Sequence, residues 1–353
     1  MKFVFVLLCI YISLSLSIAA DSVLKDNLTE FGDLSSEPVK ELIVPSAAAV
    51  KLEISGKMII SWGEKRGELP FVNKKEQISS QIFTGPSSIC YRKNKLYILD
   101  AVLGSVVIYT SRGNYLRTIR FQSKLKNTKN ALYCDISVGF DGVIYVLDGN
   151  SKTVVLIDPV RKIVREISIP HKNKIAGYET LAVSKNNVIS VFDCFLGQIV
   201  RFTVDGTPVG KIKTMNFSSL PSYGDNIFYG AKMVNINSHH PNALVLLKLN
   251  PLKPPKTVVG SYKTTEEINN YSVVGVDKRG KIFLTVALGT ADVTSQELLI
   301  VFDENGTIVS KTKIPLLTHK MEMTRSVSVS ENGSIAICRP SKSGLVTYFI
   351  NQP

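Results

Sequence analysis

Three charged residues stand at corresponding positions of separate repeats, where a binding site could be assembled. Asp135, Glu179 and Arg325 each lie near the start of a short apolar segment, and these segments align as copies of one unit. If the segment starts converge in the fold, two carboxylates opposed by one arginine would suit a zwitterion or a hydrated divalent cation. The alternative interpretation is the solvated rim of a channel, with ordinary ion pairs.

No catalytic motif accompanies these residues. The chain contains no Gly-x-Ser-x-Gly elbow, Walker-type phosphate loop, dinucleotide fingerprint or Cys-x-x-Cys pair. Adjacent histidines on a strand point to opposite faces, so zinc binding by His239 and His240 would need ligands from elsewhere, and a loop pair is the preferred interpretation. The sequence therefore predicts no catalytic residue, no metal ligand and no cofactor, with a divalent cation in a channel as the alternative. The histidines, none at a repeated inner position, are His171, His239, His240 and His319.

A repeat of about 46 residues supplies the elements that must position the charged residues. Each unit contains two pairs of short strands joined by tight turns. A sheet of four short strands cannot bury both of its faces alone, and stacking six such sheets around an axis solves that problem. We therefore predict an all-β, six-bladed β-propeller over residues 51–353. The third strands begin, at spacings of 48, 45, 46, 54 and 46, near Val106, Val154, Ile199, Val245, Leu299 and Leu345.

The two ends of the chain give an independent indication of closure. The sixth unit contains only three strands before Pro353, while Lys57–Trp62 is an orphan strand upstream of the first complete unit. Pairing the orphan strand with the last unit would close the ring and cover an exposed sheet edge. We therefore expect the N-terminal strand to complete the last blade.

Three aspartates recur with the repeat. Asp100, Asp148 and Asp193 follow one another at 48 and 45 residues, each at the end of a second strand. Because they repeat with the fold, we expect them to cap the next turn by accepting hydrogen bonds from backbone amides.

The best-formed unit resembles the NHL repeat of six-bladed β-propellers. Val138–Asp148 has the pattern Val-x-x-Asp-Gly-Val-Ile-Tyr-Val-Leu-Asp, and Ser61–Phe71 is similar to the entry segment before the first blade of that family. The resemblance covers about Lys51–Pro353. It departs in the fourth unit, where Ile227–Ser238 lacks the Asp-Gly turn, and in the fifth, where the connection over Val286–Leu298 is longer.

Some propellers of similar architecture are enzymes. The gluconolactonase and senescence-marker group holds a divalent metal with Glu, Asn and Asp converging in the channel, and the amidating-lyase group relies on histidines around zinc. This sequence offers Asp135 and Glu179 but no asparagine beside them. The repeats, the predicted export, the positive charge and the missing catalytic set, together with analogy to the family, favour a rigid binding scaffold. The alternative is a metal-dependent hydrolase, lactonase or lyase with its site at the channel mouth.

The first twenty residues predict export. Lys2 precedes sixteen uncharged, mostly apolar residues, Phe3–Ile18, and these are followed by Ala19, Ala20 and the acidic Asp21. This is the order of a secretory signal peptide, and cleavage is preferred over retention as an anchor. Residues 1–20 are thus predicted to be a signal peptide and residues 21–50 a flexible linker. We expect a secreted or periplasmic protein with no stable membrane insertion after cleavage.

Four cysteines follow the predicted signal peptide. An even number in an exported protein permits two disulfides, with three possible connectivities. Unpaired cysteine is among the most buried residue types, so free thiols on buried strands are the preferred interpretation. The four are Cys90, Cys134, Cys194 and Cys338.

The composition, with 44% hydrophobic and 20% charged residues, is globular and excludes a disordered chain or a collagen-like fibre.

The net charge of +13 indicates a positive surface that would attract anionic partners, and an ordinary lysine-rich soluble surface is the alternative. Export, and the lack of aromatic residues between the basic ones, argue against nucleic acid. We predict a monomeric scaffold for a protein or an anionic polymer such as an acidic glycan. The candidate basic rim at the first interblade connection comprises Arg117, Arg120, Lys124, Lys126 and Lys129.

Overall fold

The structure is a computed structural model, and it describes residues 52–63, 65–70, 85–125, 131–170, 176–213, 219–221, 227–234, 242–249, 257–290, 293–316 and 323–351. These residues all belong to the compact unit Val44–Pro353. The predicted signal peptide and linker, residues 1–20 and 21–50, lie outside the described residues. Within the described ranges the regular structure is 24 strands and one 3-10 turn, Gln122–Lys124.

The strands form six antiparallel four-stranded sheets, here named blades 1 to 6 in the chain order of their last strands. Blades 1 to 5 each use four consecutive strands, and blade 6 uses the last three strands with the first. In chain order the bounds are β1 (Ile54–Ser61); blade 1, β2 (Pro86–Arg92), β3 (Lys95–Asp100), β4 (Ser105–Thr110), β5 (Tyr115–Arg120); blade 2, β6 (Tyr133–Val138), β7 (Ile144–Asp148), β8 (Thr153–Asp158), β9 (Ile163–Ser168); blade 3, β10 (Tyr178–Val183), β11 (Ile189–Asp193), β12 (Gln198–Phe202), β13 (Pro208–Lys213); blade 4, β14 (Ser219–Pro221), β15 (Phe228–Val234), β16 (Ala243–Leu249), β17 (Thr257–Lys263); blade 5, β18 (Ile268–Val276), β19 (Ile282–Thr290), β20 (Val293–Phe302), β21 (Ile308–Ile314); and blade 6, β22 (Val327–Val329), β23 (Ile335–Pro340), β24 (Gly344–Ile350).

The position of a strand within its blade explains its residue pattern. Middle strands such as β4 and β8 are continuous apolar runs, because neighbouring blades cover both of their faces. Outermost strands such as β5 and β9 carry exposed charged residues instead. The core lies between blades: Leu99 and Val106 of blade 1, for example, belong to one cluster with Ile136 and Val146 of blade 2.

The first strand closes the ring, as predicted. β1 pairs antiparallel with β24, with Lys57 opposite Tyr348 and Ile60 opposite Leu345. The strand ends at Ser61, and the indole nitrogen of Trp62 donates a hydrogen bond of 2.9 Å to the carbonyl oxygen of Ser341. The last blade therefore takes its outermost strand from the start of the propeller, and no covalent bond is needed to hold the two ends together.

The departure predicted in the fifth unit is an extended hairpin rather than a longer loop. β19 and β20 pair from Ile282 opposite Phe302 out to Thr290 opposite Val293. The described residues between Val286 and Leu298 thus continue the ladder beyond the other blades, with a register shift between Leu288 and Gly289. Strand pairing takes up most of the added length, and the count of six blades is unchanged.

Candidate functional site

The innermost strands run in the same direction around a narrow central channel. Ser88 of β2 forms a parallel bridge with Arg325, just before β22, and the Ile89 amide donates to the Arg325 carbonyl oxygen at 3.1 Å. The Ser87 hydroxyl donates to the Tyr133 carbonyl oxygen of β6 at 2.8 Å. Small serine side chains at these positions let neighbouring innermost strands approach closely enough to share hydrogen bonds.

An ion pair between Arg325, before blade 6, and Asp135 of blade 2 crosses this channel. Arg325 Nη2 lies 2.6 Å from Asp135 Oδ2 and 2.8 Å from the carbonyl oxygen of Leu181 in blade 3. The Leu181 amide donates to Asp135 Oδ2 at 2.7 Å, and the Ser88 hydroxyl donates to Oδ1 at 2.5 Å. One carboxylate and one guanidinium therefore connect blades 6, 1, 2 and 3 to one another.

Asp135 is completely buried, and the Arg325 side chain is only 14% exposed. Burial raises the pKa of Asp135, while the charge of Arg325 and the donors from Ser88 and Leu181 oppose that rise. Both carboxylate oxygens already accept hydrogen bonds from the protein, so an incoming ligand would meet the arginine rather than the carboxylate.

Among the described residues, no contact links Glu179 to the network of Asp135 and Arg325. It is exposed on β10, next to a register shift between Tyr178 and Thr180. Its carboxylate interacts with the thiol of Cys194 instead. Of the three candidate channel residues, the structure thus places Asp135 and Arg325 together and Glu179 apart from them.

A cavity of about 110 Å³ opens at the carboxyl ends of the innermost strands, away from the strand starts that the repeat alignment singled out. Arg325 lies at the inner end of this cavity. Its guanidinium donates hydrogen bonds to the carbonyl oxygens of Ile136 and Leu181, and the next residue on each of those strands, Ser137 and Ala182, lines the cavity. Arg92 and Glu331 line the cavity together with small residues of β6, β10 and β22. Arg92 ends β2 and Glu331 follows β22, and the sequence analysis predicted a role for neither residue.

Arg92 is held on three sides. Its guanidinium carbon lies 3.6 Å from the centre of the Phe140 ring, and its Nη1 donates to the Val138 carbonyl oxygen at 2.5 Å. Its Nε lies 3.8 Å from Glu331 Oε2, with side-chain exposures of 12% and 22%. Neither of those two atoms has a hydrogen-bond partner in the described part of the chain, although both are buried.

The three repeated aspartates cap turns, as predicted. In Asp100, Asp148 and Asp193 the Oδ1 atom accepts hydrogen bonds from the amides two and three residues further on. In blade 6 the corresponding position holds Arg339, whose Nη2 lies 2.7 Å from Glu297 Oε2 of blade 5. These residues are therefore structural, and their recurrence reflects the repeat.

The outermost strands carry basic residues with almost no acidic ones. Arg117, Arg120 and Lys124 of the candidate basic rim are exposed, whereas Lys126 and Lys129 lie outside the described residues. All six outermost strands carry at least one exposed lysine or arginine, and Glu166 is the single acidic residue on them. We call this set the basic perimeter: Lys57, Arg117, Arg120, Arg165, Lys211, Lys213, Lys263, Lys311 and Lys313.

All four described cysteines are free. Cys90, Cys134 and Cys338 are buried, and Cys194 is partly exposed. Burial raises the pKa of every one of these thiols, to about 12 for Cys338, and burial together with Glu179 raises the pKa of Cys194 to about 12. The structure therefore contains neither of the two disulfides that the even number permitted.

We expect a thiol reagent to distinguish these cysteines. The native chain at pH 8 should react slowly at Cys194 and not at the three buried thiols, because the thiolate is the reacting form and a raised pKa makes it scarce. The rate at Cys194 should increase as the pH approaches 12, and unfolding in guanidinium should release all four. Mass spectrometry of the labelled peptides measures this. Oxidised cysteines that stay unlabelled after unfolding without a reductant would contradict it.

Among the described residues, no group of three or more His, Cys, Asp or Glu side chains could hold a metal ion. The four histidines, His171, His239, His240 and His319, lie outside the described residues. In the same ranges, no helix is long and apolar enough to cross a membrane.

Comparison with known proteins supports the fold. No family model and no curated protein matches the chain. A solved member of the DUF4221 family from Bacteroides vulgatus is similar with a TM-score of 0.54 and 12% identity, over 85% of this chain and 98% of that one. The RRP9 WD40 repeats are similar with a TM-score of 0.50 and 8% identity, over 80% and 100%. A virginiamycin B lyase from Staphylococcus aureus has a TM-score of 0.46 and 10% identity, over 80% and 87%.

The strand pairing, the innermost strands around a channel and the first two of these structural likenesses define the chain as a six-bladed β-propeller. At this level of identity the likenesses show the fold alone.

Proposed function

We propose that the chain is an exported propeller of the NHL-like type, which acts as a rigid binding scaffold for a protein or an anionic polymer. One observation carries the proposal: the nine exposed basic residues of the basic perimeter, opposed by a single acidic residue on the same six strands. Like charges spread around the outer edges of the six blades create a positive potential that attracts polyanions over a Debye length.

Lysine on an outermost strand also discourages edge-to-edge pairing between sheets, so part of the basic perimeter protects the monomer. That role needs only one charge per blade. Blades 1, 3 and 5 each carry two basic residues on the outermost strand, Arg117 with Arg120, Lys211 with Lys213, and Lys311 with Lys313. The excess supports the proposal of a binding surface.

The alternative of a metal-dependent hydrolase, lactonase or lyase depended on Asp135 and Glu179 acting together. Asp135 is bonded by Arg325, Ser88 and Leu181, and Glu179 interacts with Cys194. Thermal melts with EDTA, calcium and zinc discriminate the two classes, because an ion that binds only the folded chain raises its melting temperature. A rise that Asp135→Ala with Glu179→Ala abolishes would favour the enzyme.

We expect a heparin oligosaccharide to bind with strong salt dependence. Lys211→Glu with Lys213→Glu should weaken binding about tenfold or more, since two attractive charges become repulsive on one blade. Fluorescence anisotropy across a salt series measures both the affinity and its salt dependence.

The matched control is Lys95→Glu with Lys185→Glu, which changes the net charge equally but at exposed positions near the turns between first and second strands. It should alter heparin affinity much less than the double variant Lys211→Glu with Lys213→Glu does. Equal losses in the two double variants would show a response to net charge alone, and retention that does not depend on salt would argue against any ionic surface.

A further inference from the structure

The cavity at the carboxyl ends of the innermost strands combines open space with charged groups whose hydrogen bonding is incomplete. Arg92 Nε and Glu331 Oε2 face one another at 3.8 Å, beyond hydrogen-bond distance. Both atoms are buried, and neither has a hydrogen-bond partner in the described ranges. A cavity ligand cannot reach these two buried atoms themselves, but the side chains of Arg92 and Glu331 are 12% and 22% exposed and line the cavity. Because a buried charge is costly unless it is paired, a ligand that brings an acceptor to the exposed part of Arg92 and a donor to the exposed part of Glu331 would be favoured.

The arginine is already positioned for such a contact. The Phe140 ring at 3.6 Å and the Val138 carbonyl oxygen at 2.5 Å fix the plane of its guanidinium. A group that is held before the ligand arrives loses little conformational freedom on binding. The Ser328 hydroxyl, also in the cavity wall, accepts a hydrogen bond from the Tyr91 amide, which leaves its own proton to donate.

The charges of the cavity balance. Arg92 is opposed by Glu331 in the cavity wall, and Arg325, also in the wall, is opposed by Asp135, which is buried behind it. A site with two positive and two negative groups does not attract a ligand of net charge, but it suits a ligand that carries one charge of each sign a few ångströms apart.

We propose that this cavity binds a small zwitterion with the charge pattern of an α-amino acid, its carboxylate at Arg92 and its ammonium group at Glu331. The site is separate from the basic perimeter, so it is independent of the proposed scaffold function. Small wall residues such as Ser137 and Ala182 leave space for a ligand with a short side chain only.

Isothermal titration calorimetry with glycine, L-alanine and L-serine tests the proposal directly. Saturable binding at millimolar concentration or below is expected for at least one of them. Acetate and methylamine each carry half of the charge pattern and should bind far more weakly, and glycerol, a neutral polyol, should do the same.

Three variants locate the site. Glu331→Gln and Arg92→Gln should each weaken binding about tenfold or more, the effect of losing a charge-assisted hydrogen bond. Ala182→Leu should abolish binding by filling the cavity while leaving both charges in place. The matched controls, Glu304→Gln and Arg279→Gln, remove one exposed charge each from turns on the same side of the propeller and should change the affinity less than twofold.

The proposal is overturned if none of the three amino acids gives saturable heat with the wild-type chain. It is equally overturned if glycerol or acetate binds as tightly, or if the controls lose as much affinity as the cavity variants.

Circular dichroism checks the fold of each variant. If Arg92→Gln does not fold, the near-isosteric Glu331→Gln and the uncharged Ala182→Leu still decide the outcome, and unchanged heparin binding by both separates this test from that of the scaffold function.

Discussion

Asp135→Ala is expected to lower the free energy of unfolding by about 3–5 kcal/mol, which is the usual effect of removing one partner of a buried ion pair. The variant leaves the Arg325 guanidinium, 14% exposed, without the carboxylate at 2.6 Å. It also removes the acceptor of the Ser88 hydroxyl and of the Leu181 amide. Because these partners belong to blades 6, 1 and 3, the loss should affect the whole ring. The midpoint of urea unfolding measures it.

A second substitution separates the ion pair from the space it fills. Asp135→Leu combined with Arg325→Leu removes both charges together, so no buried charge is left without a partner. We expect the double variant to be more stable than Asp135→Ala, because replacing a buried ion pair with apolar residues is often close to neutral. A double variant as unstable as the sum of its single substitutions would show that the charges do not interact.

Glu179→Ala is the matched control for this experiment. Glu179 is also a carboxylate on the innermost strand of a blade, but it is exposed and outside the Asp135–Arg325 network. The substitution should change the free energy of unfolding by no more than about 0.5 kcal/mol. A loss at Glu179 comparable to that at Asp135 would contradict the placement of these residues in the structure.

The architecture could be predicted from the sequence because it repeats. Apolar strands at nearly equal spacing, turn residues between them and the recurring Asp100, Asp148 and Asp193 are all local signals, and each copy reinforces the others. The closure of the ring by Lys57–Trp62 was predictable for the same reason, since a missing strand is visible only against a regular count.

The channel was less accessible to this reasoning. Aligning the repeats places Asp135, Glu179 and Arg325 at similar strand starts, but the strand pairing shifts that alignment by one residue. Asp135 pairs with Leu147 and Thr180 with Phe192, so Thr180 is the equivalent of Asp135, while Glu179 is the extra residue of the bulge. Arg92 and Glu331 belong to a strand end and a turn that every blade possesses. The two residues are 239 positions apart in the sequence, and only the folded ring brings Arg92 Nε to 3.8 Å from Glu331 Oε2.

The closure of the ring makes a second large effect predictable, at adjacent isoleucines of β1. Ile60 is 2% exposed and packs in the cluster that contains Leu345, Phe349 and Tyr91, whereas Ile59 is 54% exposed on the opposite face of the same strand. Ile60→Ala should cost about 2–5 kcal/mol, through lost burial and the cavity that remains. Ile59→Ala should cost less than about 1 kcal/mol, mainly through the lower strand propensity of alanine.

The pair is its own control, because both substitutions remove the same atoms from the same strand and change strand propensity alike. The difference between them therefore measures packing across the closure alone. A slip of one residue in the pairing of β1 with β24 would exchange the two faces, so equal losses, or a larger loss at Ile59, would show that the register with Ile60 opposite Leu345 is wrong. Urea unfolding gives the two values. Size-exclusion chromatography of Ile60→Ala gives a further readout, since weakened pairing leaves the edge of β24 open to a second chain and should produce oligomers that Ile59→Ala does not form.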